Sequence, residues 1–126
     1  MIMLDTSYII SLYLPKNKFH EKAKKIEKKI ENEDKIVTKM TIYETLTVLR
    51  KLNQNDSKLK KVYESMLKMI IIDDYYIHEN ALTKTLTNNI GFFDNLSYVV
   101  MKNNGIKEIA SFDTDFDIFK DIKRIF

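Results

Sequence analysis

The sequence predicts an α/β fold: a three-layer α/β/α sandwich around a central, mainly parallel sheet of four or five strands. Short apolar segments rich in β-branched residues alternate along the chain with amphipathic helical segments, which is typical of a parallel sheet covered by helices on both faces. The 126 residues include only 2 Gly and 1 Pro, and no repeat or Ser-rich linker divides them. We therefore expect a single domain over residues 1–126, in which the 44% of hydrophobic residues supply one core.

The first half of the chain contains two predicted strands and four predicted helices. Asp5-Thr6-Ser7 follows the first apolar segment and can cap a helix. From Phe19 to Glu31, apolar residues recur every three or four positions with lysines between them, which indicates an amphipathic helix. In chain order, the elements are a strand at 1–4, helices at 8–14 and 19–31, a strand at 36–38, and helices at 41–52 and 57–67.

The second half repeats the alternation. The apolar segment at 69–72 is too short and too β-branched for a helix, so it is predicted to be a strand. Helices are predicted at 78–87 and 94–103, and Gly105 is placed to end the second of them. Strands at 108–111 and 122–126 complete the sheet.

The composition excludes several classes of protein. The chain has 0 Cys, which rules out disulfide scaffolds, zinc ribbons and thiol chemistry, and 2 His make a histidine-rich metal site improbable. The longest apolar runs, at 69–72 and 98–101, are far too short to span a membrane, and the early acid Asp5 is not typical of a signal peptide. We expect a cytoplasmic protein with no membrane partner that uses oxygen ligands for its chemistry.

The charges are distributed unevenly along the chain. Residues 1–63 hold 14 Lys and Arg against 8 Asp and Glu, whereas residues 64–126 hold 7 against 10. This pattern suits a protein that attracts a polyanion while it presents carboxylates to it, although a solvated surface with uneven charge gives the same totals. The lysines at 16–29, with Lys58, Lys60 and Lys61, are candidates for guiding a nucleic-acid backbone.

Acidic residues lie where a parallel α/β fold places its ligand site, outside the carboxyl ends of the strands. Asp5 follows the first strand, Asp94 opens a predicted helix, Asp113 follows the strand at 108–111, and Glu44 lies on the helix after the second strand. Each alone has a simpler interpretation: a helix cap, a turn former or a surface residue. Together they would repel one another unless a cation lay among them, and oxygen ligands without His or Cys favour Mg²⁺ or Mn²⁺.

Five short motifs in chain order resemble the PIN domain family, in particular the small stand-alone VapC-type toxins of toxin–antitoxin pairs. The resemblance extends from residue 2 to about residue 118. The motifs are Met3-Leu4-Asp5-Thr6-Ser7, Phe19-His20-Glu21-Lys22-Ala23, Thr41-Ile42-Tyr43-Glu44-Thr45-Leu46, Gly91-Phe92-Phe93-Asp94 and Ser111-Phe112-Asp113-Thr114-Asp115-Phe116.

The resemblance implies a Rossmann-like fold and a metal-dependent endoribonuclease. Its catalytic and metal-binding residues would be Asp5, Glu44, Asp94 and Asp113, with Mg²⁺ as the cofactor and Mn²⁺ as a substitute. The sequence leaves open whether Asp115 replaces Asp113 as the fourth ligand. The implied partners are an RNA substrate, a cognate antitoxin protein and a second copy of the chain in a homodimer.

Two other functions stay open on the sequence alone. A PIN-like nuclease can process RNA outside a toxin–antitoxin pair, and a catalytically silent PIN-like fold can bind RNA or a partner protein. The sequence also departs from the family pattern at Asn95, where a small residue is more usual, and at Asp115 and Asp117, which crowd the fourth acid.

Overall fold

A computed structural model describes all residues 1–126. Its five strands form one sheet in the order β3-β2-β1-β4-β5, and every pairing is parallel. The predicted fold class is confirmed, with the higher of the two expected strand counts. The strands are β1 (Ile2–Leu4), β2 (Lys35–Thr38), β3 (Ile70–Ile72), β4 (Glu108–Ala110) and β5 (Lys123–Ile125).

Six α-helices and two 3-10 helices connect the strands. The α-helices are α1 (Thr6–Tyr13), α2 (His20–Lys29), α3 (Lys39–Lys51), α4 (Asp56–Met66), α5 (His78–Thr87) and α6 (Phe92–Asn103). The 3-10 helices, at Tyr75–Ile77 and Thr114–Ile118, were not predicted. The predicted start of the sixth helix at residue 94 was also wrong, because the extended Gly91 caps the helix and Asp94 lies within its first turn.

The alternation of side chains along the strands separates two hydrophobic cores. In β1, Ile2 and Leu4 pack into a core with residues of α1, α2, α3 and α4, whereas Met3 packs into a second core with residues of α6. Helices therefore cover both faces of the sheet, which produces the three layers. None of the helices is both long enough and apolar enough to span a membrane.

The topology brings the ends of β1 and β4 together. The chain runs from β1 outwards to β2 and β3, and then returns to β4 on the other side of β1. Leu4 is in register with Ala110, and the Asp5 amide donates to the Ala110 carbonyl at 3.0 Å. Such a reversal of strand order leaves a crevice at the carboxyl ends of the strands, where ligands bind in open α/β sheets.

Candidate active site

Asp5 is fixed by hydrogen bonds at the end of β1. Its Oδ2 accepts from the Ser7 amide at 3.2 Å, from the Ser7 hydroxyl at 2.5 Å and from the Ser111 hydroxyl at 2.8 Å. The bond from the Ser7 amide makes Asp5 the N-cap of α1, so one carboxylate oxygen caps the helix. Its Oδ1 accepts no hydrogen bond from the protein.

The two serines that hold Asp5 also hold the segment after β4. The Phe112 amide donates to the Ser7 hydroxyl and the Asp113 amide donates to the Ser111 hydroxyl, each at 3.0 Å. Asp113 in turn caps the following 3-10 helix, because its Oδ1 accepts from the Asp115 amide at 2.9 Å. Ser7 and Ser111 thus couple the positions of two acids that come from opposite ends of the sequence.

Glu44 extends from α3, whose N-terminus is capped by Thr38 at the end of β2. The Thr6 hydroxyl donates to Glu44 Oε2 at 2.6 Å and ties this side chain to the start of α1. Burial raises the pKa of Glu44, and the charges of Asp5 and Asp113 raise it further, while the bond from Thr6 opposes the shift. The Glu44 side chain is half-buried.

Asp94 has a different environment in the first turn of α6. It is half-buried, and no protein group donates a hydrogen bond to either of its oxygens. Burial is the main cause that raises its pKa to about 7, and the negative charge of Asp113 is the next, followed by that of Asp5. Near neutral pH this carboxyl is therefore divided between its protonated and charged forms.

Asp94, Asp113 and Asp115 form the tightest acidic group of the structure. One carboxylate oxygen from each lies within 4.8 Å of the others, which is a spacing that one cation can bridge. The structure thus places both candidates for the fourth acid beside Asp94. Asp117, which the sequence places close to the fourth acid, instead forms an ion pair with Arg124. Arg124 Nε lies 2.8 Å from Asp117 Oδ1.

All four predicted carboxylates line one cleft of about 350 Å³. Its single basic side chain is Lys18, and none of the four acids takes part in an ion pair. Each acid also keeps at least one oxygen that no protein donor reaches. This donor set of uncompensated carboxylate oxygens fits a hard divalent cation, which would offset their mutual repulsion. The lining residues are Asp5, Thr6, Ser7, Ile10, Ser11, Asn17, Lys18, Phe19, Glu44, Val48, Asp94, Phe112 and Asp113.

The family model of the PIN domain matches residues 2–122 of the sequence. The chain belongs to the PIN domain family. A comparison with curated protein sequences finds no match. The family assignment therefore comes from the family model, and it agrees with the resemblance carried by the five motifs.

Several solved structures share this PIN fold. VapC20 of Mycobacterium tuberculosis, described as a toxin that cleaves the sarcin–ricin loop, has a TM-score of 0.80 at 20% identity over 97% of each chain. FitAcB from Neisseria gonorrhoeae has a TM-score of 0.72 at 21% identity over 100% of this chain and 97% of that chain. PAE2754 from Pyrobaculum aerophilum has a TM-score of 0.66 at 18% identity over 98% of this chain and 82% of that chain. At these identities the likeness is one of fold.

Aromatic residues that were not predicted as part of the site flank the carboxylates of this PIN domain. Phe19 and Phe112 line the main cleft, and Phe92 and Phe93 line an adjoining cleft that also contains Glu44, Asp94 and Asp113. In the sequence, an apolar ring at these positions is equally compatible with a place in the core. Their position directly before an acid, as in Phe93-Asp94 and Phe112-Asp113, was the signal that could have located them.

Asn95 does not contribute to the acidic site. Its side chain is fully buried. Asn95 Oδ1 accepts from Asn88 Nδ2 at 2.8 Å, and Asn95 Nδ2 donates to Asn88 Oδ1 at 3.0 Å and to the Ile90 carbonyl at 3.1 Å. These bonds fix the turn between α5 and α6 just before Asp94. The departure from the usual small residue therefore leaves the cleft of the PIN domain unchanged.

Proposed function

We propose that this PIN domain is a metal-dependent endoribonuclease that hydrolyses RNA phosphodiester bonds, and that it is the toxin of a type II toxin–antitoxin pair. The observation that carries the proposal is the convergence of Asp5, Glu44, Asp94 and Asp113 on one cleft without a compensating cation among them. Structural acids are normally neutralised by ion pairs or hydrogen bonds, whereas acids that bind metal keep free oxygens.

The residues that would hold Mg²⁺ or Mn²⁺ are Asp5, Asp94 and Asp113, with Asp115 within reach of the last two and Glu44 completing the set. When bound, a divalent cation of this kind polarises phosphate oxygens and promotes attack by water on the phosphorus. The protein prepares the site by holding Asp5 through Ser7 and Ser111 and by holding Glu44 through Thr6. Such supporting bonds limit the motion of ligand side chains and thus define the geometry of the site.

Protons are part of this preparation. Asp94 has a pKa of about 7, so it gives up a proton when a cation binds near neutral pH. Lys18 is the side chain in the cleft that can attract the RNA backbone, since it is the basic residue of an otherwise acidic lining. The half-buried Glu44 keeps Oε1 free of protein donors, which supports a role for this side chain in orienting a water molecule.

The experiment that tests the nuclease measures cleavage of tRNA and total RNA by the purified protein with Mg²⁺, with Mn²⁺ or with EDTA. Asp5→Asn and Asp94→Asn should each reduce cleavage by at least about 100-fold, as expected for the loss of a metal ligand. Asp34→Asn is the matched control, because Asp34 is exposed and precedes β2 at the opposite edge of the sheet. Cleavage that persists in both site variants, or that EDTA leaves unchanged, would contradict the proposal.

The toxin role needs its own test. Induced expression of the wild-type chain in the cytoplasm of a host cell should arrest growth, and expression of Asp94→Asn should not. Coexpression of the protein encoded by the small open reading frame next to the gene should restore growth, and that protein should form a complex with this chain. The chain itself is proposed to form a homodimer. Active nuclease without growth arrest would instead indicate RNA processing outside a toxin–antitoxin pair.

A further inference from the structure

The side of the cleft next to β4 carries two stacked aromatic rings. The centroids of Phe19 and Phe112 lie 4.5 Å apart and their planes differ by 6°. Both side chains are half-buried and both line the cleft with the carboxylates. Phe112 lies directly before Asp113, so the ring pair adjoins an acid of the site in sequence and in space.

A cation accompanies these rings. Lys18 is exposed, lines the same cleft, and holds its Nζ 4.9 Å from the centroid of the Phe19 ring. No other Lys or Arg lines this cleft or the adjoining one. The acids repel phosphate. The two rings and the ammonium group therefore form the region of the cleft that is best suited to an anionic ligand that carries an aromatic ring.

We infer that Lys18, Phe19 and Phe112 form a subsite for one unpaired nucleotide of the RNA, next to the bond that is cleaved. The base stacks against the aromatic pair, and a phosphate of the same strand contacts Lys18. Base stacking on an aromatic side chain is favourable for every base, so this subsite selects single strands without selecting one sequence. In a duplex both faces of each base are covered by neighbours, which excludes such stacking. The inference rests on the proposed function and adds to it the residues that hold one base of the RNA.

The test measures binding of short single-stranded RNA to the Asp94→Asn protein in the presence of Mg²⁺, so that the readout does not depend on cleavage. Replacing Phe112 with Leu keeps an apolar side chain but removes the ring, and it should weaken binding by about tenfold. Phe112→Trp should bind as tightly as the protein with Phe112, because tryptophan also offers an aromatic face. Tyr76→Leu is the matched control, since Tyr76 is 88% exposed and lines neither cleft.

A set of RNAs with one abasic position each gives the decisive comparison. In the Asp94→Asn protein, one abasic position should weaken binding by about tenfold, and in Asp94→Asn with Phe112→Leu the same abasic position should have no further effect. Lys18→Gln should make the salt dependence of binding shallower, by about 0.7 in the slope of log affinity against log salt. Lys107→Gln should not, because Lys107 is exposed just before β4 and lines neither cleft.

The outcomes separate this inference from the proposed function. If the wild-type chain cleaves RNA but the abasic positions all bind alike, the nuclease stands and the subsite is overturned. If the wild-type chain cleaves no RNA and yet Phe112→Leu abolishes one abasic effect, the subsite stands and the nuclease fails. Equal affinity of Asp94→Asn for the single strand and for the same sequence in a duplex overturns the subsite as well.

Discussion

The end of β1 and the first turn of α6 each bring one carboxylate into the cleft, and they do so in opposite ways. Asp5, at the end of β1, accepts three hydrogen bonds on Oδ2 from Ser7 and Ser111. Asp94, in α6, accepts none and is positioned by its helix alone. Burial raises the pKa of both groups, and the charge of Asp113 adds to the rise in both, but only at Asp5 do hydrogen bonds oppose it.

The difference teaches how a site can hold several like charges without unfolding the protein. At Asp5, hydrogen bonds to the charged form oppose the rise in pKa that burial causes, and they define the geometry of the carboxylate before any ligand arrives. Asp94 instead lowers the charge of the empty site by taking up a proton, which a cation can displace. We interpret Asp5 as the rigid element of the site and Asp94 as the element that exchanges a proton for a ligand.

Among the changes that test this comparison, the largest expected effect comes from removing the hydrogen bonds that hold Asp5. Ser111 is fully buried, donates to Asp5 and accepts from the Asp113 amide, so Ser111→Ala frees two acids at once. We expect RNA cleavage to fall by about 10- to 100-fold, the range that is usual when a ligand loses its supporting hydrogen bond. The measurement is the single-turnover rate at saturating Mg²⁺.

Ser57→Ala provides the control for this prediction, because Ser57 is exposed at the start of α4 and lines neither cleft. Its rate should equal that of the wild type. A Ser111→Ala protein that stays folded by circular dichroism and cleaves at the wild-type rate would show that Asp5 needs no such support.

The second prediction concerns the proton that Asp94 exchanges. Because its pKa is about 7, the charged form makes up most of the population near pH 8 and a small part near pH 6. The apparent affinity for Mg²⁺ should therefore fall by about tenfold when the pH is lowered from about 8 to about 6, in proportion to the charged fraction of Asp94. Calorimetric titration with Mg²⁺ at several pH values measures this affinity. An affinity that does not depend on pH in this range would mean that Asp94 is not a ligand.

The third prediction compares the same substitution on the two sides in the metal-free protein. The folded state keeps a proton on Asp94 up to about pH 7, whereas the unfolded chain loses it near the ordinary value of 3.8. The folded state therefore binds more protons between those values, and stability falls as pH rises through this window. Asp94→Asn removes the effect and should raise the melting temperature at about pH 8 by about 4 °C, after allowing for solvent screening of this half-exposed group.

Asp5→Asn should not give the same gain, because Asn lacks the negative charge that the three donors at Oδ2 stabilise. Its melting temperature in EDTA should equal that of the wild type or lie below it. The measurement is thermal unfolding in EDTA at several pH values between about 5 and about 8, where Asp94→Asn should also show the flatter pH dependence. Equal stabilisation by both substitutions would remove the distinction between the two acids.

The comparison also shows which features a sequence can predict. Each strand is a short apolar run, and Asp5 and Asp113 each follow a strand, so the parallel topology alone predicts that these two acids meet at one edge. The helix positions of Glu44 and Asp94 follow from periodicity to within a turn. These features depend on local pattern and on a general rule of topology, and both are visible in a single chain.

The supporting bonds could not be predicted, because they join distant parts of the chain. Ser111 and Asp5 lie 106 positions apart, and a Ser after a strand is compatible with a cap, a turn or a surface site. The stacking of Phe19 on Phe112 has the same origin, since half-burial at the edge of a cleft leaves the same apolar pattern as a place in the core. The pKa of Asp94 depends on burial and on three-dimensional proximity to other acids, which spacing alone does not determine.

The smallest expected effect tests whether α6 needs its glycine to present Asp94. Gly91 has φ −61 and ψ 156, a conformation open to any residue, and a Cβ built there would lie 3.9 Å from Asp94 Oδ2 with no closer neighbour. Gly91→Ala should therefore change the free energy of unfolding by less than about 0.5 kcal/mol, the usual range for a substitution without steric conflict. The added methyl group displaces water beside Asp94 and should move the pH midpoint of Mg²⁺ binding slightly upwards, since burial favours the protonated carboxyl. A large loss of stability or of cleavage in Gly91→Ala would mean that the start of α6 must hold Asp94 in a fixed position. Asp94 would then be held as rigidly as the serines hold Asp5.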